Sequence, residues 1–131
     1  MQARKHFIPL GRLKKRAEFL RVREGRTWRA RSLVLQARRR TVGSMRDSEP
    51  NQEMVRFGFT ATKRLGSAVT RNRARRRLKE SVRLAASAHV RPGYDYVIIA
   101  RHGALTQTFD YIQEELCKAL EGIHRQKPAR A

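Results

Sequence analysis

A run of cationic side chains between positions 63 and 79 is the part of this sequence best equipped for chemistry. It holds eight basic residues and no acid: Lys63, Arg64, Arg71, Arg73, Arg75, Arg76, Arg77 and Lys79. Arginine can hold a phosphate through two parallel hydrogen bonds, and the free amides at a helix N-terminus also favour anions. The chemistry that these residues support is therefore phosphate recognition.

The basic run coincides with a predicted helix from about Thr70 to Ala88. At about 100° per residue a narrow apolar stripe forms, and the arginines occupy most of the remaining circumference. The stripe consists of Ala74, Leu78, Val82 and Ala85. Cations in the first turn oppose the helix dipole, and like charges four residues apart repel, each at a cost of a few tenths of a kcal/mol. We therefore interpret this helix as a phosphate-binding surface rather than an ordinary solvated face.

Residues suited to bond cleavage are scattered. The only aspartates are Asp47, Asp95 and Asp110, whereas metal-dependent cleavage of a phosphodiester needs clustered carboxylates. The four histidines also lack metal-ligand spacing; they are His6, His89, His102 and His124. Cys117 and Trp28 are interpreted as packing residues. We predict no catalytic residue and no metal site in the protein itself.

The overall charge points to a polyanionic partner. Lys and Arg number 31 against 11 acidic residues, a formal charge of +20, and the sequence pI is about 11.7. Such an excess favours nucleic acid as the partner. The longest purely apolar run, residues 97–100, is far shorter than the roughly 20 residues that span a bilayer. A single cysteine fits a reducing compartment. We expect a cytoplasmic location, with no membrane and no obligate protein partner.

The elements that must position the basic helix follow the order helix, strand, strand, helix, strand, helix. The first helix is predicted from Leu13 to about Gly25, and a third strand and a last helix follow the basic helix at 94–100 and from about 108. This pattern predicts a single α+β domain with helices packed on a small mixed sheet. Residues 1–11 are predicted to be a basic flexible arm and residues 125–131 a basic tail.

The first two strands offer a second candidate surface. They are predicted at 33–37 and 54–62, joined by a polar hairpin connection over 38–53. Alternation in the second strand assigns Phe57 and Phe59 to the core and leaves Gly58, Thr60 and Thr62 on the opposite face. We expect these small residues to form a low surface on which an extended chain can lie.

The segment from Arg56 to Glu80, which includes Arg-Asn-Arg at 71–73, resembles the bacterial ribonuclease P protein component. The similarity extends upstream to Phe19, Leu13 and Arg12 and downstream through residues 95–101, and it covers roughly residues 12–124. It implies a protein subunit that binds a catalytic RNA and assists removal of the 5′ leader from precursor tRNA, with hydrolysis by Mg²⁺ held mainly in the RNA. It also implies a left-handed strand-helix-strand crossover, which is an exception to a strong rule.

The resemblance assigns residues to two surfaces. Those implied to bind the catalytic RNA are Lys63, Arg64, Arg71, Asn72, Arg73, Arg75, Arg76 and Lys79. Those implied to bind the single-stranded leader are Phe19, Val34, Gln36, Thr60 and Thr62. Relatives often carry an aromatic residue in place of Gln36, and Arg23 lies near the position of a second one. We therefore expect this cleft to use charge and hydrogen bonds more than base stacking.

Two other functions fit the composition. A ribosomal or other structural RNA-binding protein would have the same charge and fold class. Only the resemblance favours the ribonuclease P subunit over it. A DNA-binding regulator could place the basic helix in the major groove, but the helix lacks the Asn, Gln and Ser face expected for base reading.

Overall fold

The computed structural model describes residues 10–40 and 54–125. The predicted tail beyond Arg125, most of the predicted hairpin connection and residues 1–9 of the predicted arm lie outside these ranges. In the described part, the strands are β1 (Leu10–Arg12), β2 (Arg26–Arg29), β3 (Leu33–Arg39), β4 (Val55–Thr60) and β5 (Tyr94–Ala100). The helices are α1 (Arg16–Arg23), α2 (Ala68–Ala85), α3 (Gly103–Thr106) and α4 (Phe109–Arg125), with a 3-10 helix at Lys63–Leu65.

The strands form one mixed sheet in the order β1-β4-β5-β3-β2. β5 pairs parallel to β4 and antiparallel to β3, so α2 crosses over between two parallel neighbours. The predicted α+β class with a small mixed sheet is confirmed, while the handedness of the crossover stays a prediction. The hairpin between β3 and β4 was wrong, because β5 lies between them. β5 is apolar on both faces, with Tyr96, Val97 and Ile98 all buried, as is typical of a central strand.

Two short strands were absent from the predicted order. β1 pairs parallel with β4 and β2 pairs antiparallel with β3, so both lie at the edges of the sheet. Leu10 and Gly11 therefore belong to the sheet and not to a flexible arm. Both strands are short, are charged and lack a buried face of their own, and such edge strands carry little sequence pattern.

One face of the sheet, here called the core face, packs against α2 and α4. Its largest buried side chains come from β3, β4 and β5 and from both helices: Leu35, Phe57, Tyr96, Ile98, Leu78, Ile112, Leu116 and Leu120. Trp28 is a packing residue, as predicted. It lies against Gly122 of α4, where a Cβ would come within 2.3 Å of the indole.

The opposite face, here called the open face, carries α1 over part of its area. Leu13, Val22 and Val97 form a small buried cluster there, with Phe19 packed against it. α1 begins at Arg16 rather than at Leu13, because the Leu13 amide donates to the Phe57 carbonyl at 2.9 Å and extends the pairing of β1 with β4. Glu18 then accepts the amides of Lys14 and Lys15 at 3.1 and 3.0 Å and thereby stabilises the helix start.

Candidate nucleic-acid interface

The basic helix surface comprises the eight residues assigned to the catalytic RNA, and it runs along the 3-10 helix and the first half of α2. Ser67 caps the N-terminus of α2, since its hydroxyl accepts a hydrogen bond from the Thr70 amide at 3.2 Å. The predicted stripe faces the core, with Ala74, Leu78 and Val82 buried. The remaining circumference is therefore free to carry charge.

The eight residues differ in their exposure to solvent. Lys63, Arg64, Asn72, Arg73 and Arg76 are exposed, while Arg71, Arg75 and Lys79 are partly buried. Arg71 donates to the Gly66 carbonyl at 2.9 Å, and Arg75 donates to the side-chain oxygen of Asn72. These local bonds fix two guanidinium groups along the helix, and Arg73 and Arg76 stand free beside them.

Lys79 lies at the point where α2 meets the edge of the sheet. Its ammonium is 5.9 Å from the centre of the Phe59 ring. Burial lowers the pKa of Lys79, and the charges of Arg12 and Arg75 lower it further. A polyanion would relieve this repulsion. Arg12 thus adjoins the basic helix surface; the resemblance included Arg12 but assigned it to neither surface.

Arg77 does not belong to this surface, although it was counted in the cationic run. Its guanidinium turns inward and donates to the carbonyls of Ala104 and Gln107 at 2.8 and 2.9 Å. It therefore holds the end of α3 against α2. Glu80 pairs with Arg83 rather than with Arg76, so the acid leaves the exposed arginines uncompensated.

The residues assigned to the leader meet on the open face. Val34 pairs in register with Ile99, which pairs with Thr60. Gln36 occupies the next row with Val97 and Gly58. Phe19 of α1 closes one side, and exposed Thr62 follows the end of β4. We call this surface, bordered by Phe19, the cleft; its residues are Phe19, Val34, Gln36, Thr60, Thr62 and Ile99.

Two details of the cleft differ from the expectation. Gly58 is not open surface, because the Phe19 ring covers it and a Cβ there would lie 2.5 Å from that ring. Val34 is only 8% exposed, so it forms floor rather than a wall. Ile99 and exposed Arg29 also border the cleft, although neither was predicted there. Arg29 is the register partner of Val34. Alternation in the predicted strands could have placed Ile99 on this face, whereas β2 gave no such signal.

A buried ionic cluster fixes α1 above the sheet. The Asp95 carboxylate is 1% exposed and accepts hydrogen bonds from Arg40 at 2.6 Å and from Arg56 at 2.9 and 2.8 Å. The guanidinium of Arg21 in α1 lies 3.6 Å from it. Arg56 also reaches Glu18 of α1 at 2.9 Å. The pKa of Glu18 is lowered overall: burial acts to raise it, but amide hydrogen bonds and Arg56 outweigh burial. The cluster thereby determines where Phe19 stands.

The described residues contain no group of three or more His, Cys, Asp or Glu side chains arranged to hold a metal ion. No helix in the described ranges is both long and apolar enough to cross a membrane. The two candidate surfaces consist of cations, hydroxyls, two amides and apolar side chains, which suit the binding of phosphates and bases.

Comparison with known proteins gives one consistent result. The family model described as ribonuclease P matches residues 9–124. The ribonuclease P protein component of Ruegeria pomeroyi is 41% identical over 117 residues, 88% of each chain. The structure of the Staphylococcus aureus RNase P protein has a TM-score of 0.64 at 29% identity and covers 84% of this chain and 92% of that one. The RNase P protein of Thermotoga maritima, at 24% identity, shares the fold with a TM-score of 0.66, covering 86% of this chain and 96% of that one.

Proposed function

The chain belongs to the ribonuclease P protein family, and from that membership we propose that it binds the catalytic RNA of ribonuclease P through the basic helix surface and the 5′ leader of precursor tRNA through the cleft. The proposal makes the protein a cytoplasmic subunit that assists 5′ maturation of tRNA. Mg²⁺ held mainly by the RNA would perform the hydrolysis, with no catalytic residue in the protein.

The observation that carries the proposal is the separation of two chemically different surfaces on one small domain. The basic helix surface offers exposed cations without acidic partners, such as Arg73 and Arg76, which suit the phosphates of a folded RNA. The cleft offers a half-buried aromatic ring, a branched apolar floor and hydrogen-bonding groups, which suit the bases of a single strand. A protein with only a structural role on RNA needs the first surface but not the second.

The decisive test separates assembly from substrate binding. Arg73→Ala and Arg76→Ala should weaken binding of the protein to the catalytic RNA, with equal consequences for every substrate. Phe19→Ala should leave assembly intact and weaken only precursor tRNA that carries a leader, by about 1–3 kcal/mol if one base stacks on the ring. Arg39→Ala is the matched control, since Arg39 is exposed at the far end of β3.

Equilibrium binding to leader-bearing and leaderless tRNA measures both effects. Equal losses for Phe19→Ala on the two substrates would contradict the cleft assignment. Affinity for the catalytic RNA should also fall by about 10³–10⁵ between 50 and 200 mM salt if six to ten phosphates are bound. Cleavage of precursor tRNA by the polypeptide free of RNA would contradict the assignment of hydrolysis to the RNA.

A further inference from the structure

A groove opens at the edge of the sheet where β1 meets α2, on the core face and beside the basic helix surface. It is a cavity of about 220 Å³ whose lining comes from β1, β4 and α2: Leu10, Gly11, Arg12, Phe57, Phe59, Lys79, Val82 and Arg83. We call it the edge groove. Pockets for drug-sized ligands measure about 300–1,000 Å³, so the edge groove suits a smaller group, such as a single nucleobase.

The interior of the edge groove is apolar and contains the end of a row of aromatic rings. Phe57 and Val82 are buried, at 2% and 5% exposed. The planes of the Phe57 and Phe59 rings differ by 20° and their centres are 6.2 Å apart, and the row continues to Tyr96, whose ring centre is 5.0 Å from that of Phe57. Phe59 ends this row and is only partly buried. Such a ring is a surface on which a base can stack.

The rim of the edge groove is cationic. Arg12, Lys79 and Arg83 line it and no acidic residue does. Arg83 is paired with Glu80 at the surface, whereas Arg12 and Lys79 have no acidic partner among the described residues. An apolar interior with free cations at its mouth matches a nucleotide, whose base is apolar on its faces and whose phosphate is anionic.

The contact between Lys79 and Phe59 leaves the ring available. The Lys79 ammonium is 5.9 Å from the ring centre, near the outer limit of about 6 Å for a cation–π interaction. A base that stacks on the ring replaces this weak contact and leaves the ammonium to bind the adjoining phosphate.

The position of the edge groove favours the catalytic RNA over the leader as its partner. Phe57 lies on the core face, and Arg12 is its register partner on β1, whereas the cleft residues Phe19 and Thr60 lie on the open face. Lys79 belongs both to the lining of the groove and to the basic helix surface. An RNA on that surface therefore reaches the groove directly, while a strand in the cleft would have to cross the edge of the sheet.

We propose that the edge groove receives one unpaired nucleobase of the catalytic RNA, stacked on Phe59, while Arg12 and Lys79 bind the adjoining phosphates. The assignment rests on the proposed function and adds a base contact to the phosphate contacts of the basic helix surface. Phosphate contacts position a protein without identifying the nucleic acid. A base turned out of its stack is a feature of a folded RNA, so the edge groove contributes selectivity for the catalytic RNA over a duplex.

The first test measures the affinity of the full chain for the catalytic RNA. Phe59→Leu keeps an apolar side chain but removes the ring, and Phe109→Leu is the matched control at another partly buried ring, at the start of α4. Phe59→Leu should weaken binding by about tenfold, within the range for loss of one stacked base, and the control should not. Because stacking releases no counterions, this loss should be the same at every salt concentration.

The cations of the rim should have the opposite signature. Arg12→Gln should lower the slope of log affinity against log salt by about 0.7, the contribution of one single-strand phosphate. Arg39→Gln makes the same charge change at an exposed position near the end of β3 and should leave the slope unchanged.

Chemical probing of the RNA identifies the base. Dimethyl sulfate and a carbodiimide together modify the pairing edges of all four unpaired bases. With the RNA saturated by protein, one unpaired base should be protected by the wild-type chain and by Phe109→Leu, and should be modified again in the complex with Phe59→Leu.

Four results would overturn the proposal. If Phe59→Leu matched Phe109→Leu in affinity and in protection pattern, the edge groove would have no role in binding. An equal loss on a fully paired RNA duplex would mean that it binds no base, and a loss confined to precursor tRNA with a leader would mean that it binds the leader. A wild-type chain without affinity for the catalytic RNA would remove the proposed function together with the groove.

Discussion

Gly58→Ala is a sharp test of how the cleft is built, because the structure fixes both the size and the sign of its effect. A Cβ at position 58 would lie 2.5 and 2.6 Å from two atoms of the Phe19 ring and 3.2 Å from the Leu13 Cβ. Ordinary carbon contacts lie at about 3.5–4.0 Å, so the ring must move by roughly 1 Å. Overpacking of this kind costs about 1–3 kcal/mol of unfolding free energy.

Removal of the ring should reverse the effect. In a Phe19→Ala background most of the clash is absent, and alanine is favoured over glycine in a strand by about 0.5–1 kcal/mol. Gly58→Ala should then be neutral or stabilising. The two substitutions should be coupled by at least about 1 kcal/mol, within the range found for side chains in contact.

Urea unfolding of the four proteins in this cycle, followed by the fluorescence of the single tryptophan, Trp28, measures the coupling. Gly11→Ala is the matched control, because its Cβ would come too close only to the flexible end of Met54, at 2.7 Å from Cε, which can move away, and would make an ordinary contact with Arg56 Cγ at 3.5 Å. Effects of Gly58→Ala and Phe19→Ala that add within about 0.5 kcal/mol would refute the seating of Phe19 on β4.

Three further predictions concern the framework. Asp95→Asn should destabilise the protein by about 3–5 kcal/mol, since it removes the buried charge that Arg40 and Arg56 share. Glu24→Gln, at a 75% exposed carboxylate, should cost below about 1 kcal/mol, and similar urea midpoints for both variants would contradict the ionic cluster. Gly122→Ala should lower the free energy of unfolding by about 1–3 kcal/mol and shift the fluorescence emission of Trp28, because the new Cβ meets the indole. Unchanged emission would contradict this contact. Burial and, to a smaller extent, the charges of Arg91 and Arg26 lower the pKa of His124 from 6.5 to about 4 in the folded protein. Between pH 6.5 and 4 the unfolded chain therefore binds a proton at His124 that the folded protein does not, so the free energy of unfolding should fall as the pH drops through this range. A His124→Gln protein with the same dependence of stability on pH as wild type would contradict this.

The long periodic segments could be predicted from the sequence because their signal is local. α2 and α4 follow the 3.6-residue period, and the alternation of β4 separates Phe57 in the core from Thr60 on the open face. The charge run also identified Arg73 and Arg76 as exposed cations. Each of these inferences depends on neighbours within a few positions along the chain.

The remaining features depend on contacts between distant segments. Nothing near Arg77 in the sequence shows that its guanidinium ends on the carbonyls of α3, and nothing near Gly58 shows that Phe19 covers it. The ionic cluster at Asp95 joins α1, β4, β5 and the end of β3. The edge strands β1 and β2 owe their strand structure to pairing with β4 and β3, since neither has a buried face of its own.

The ionic cluster at Asp95 also has a consequence for the order in which the domain assembles. Asp95 and Arg56 are register partners on β5 and β4, so the site that receives α1 exists only after these two parallel strands have joined. α1 buries a single residue of its own, Val22, so we expect its contacts with the sheet to open before the core face does. Its amides should therefore exchange with solvent hydrogen faster than those of β5.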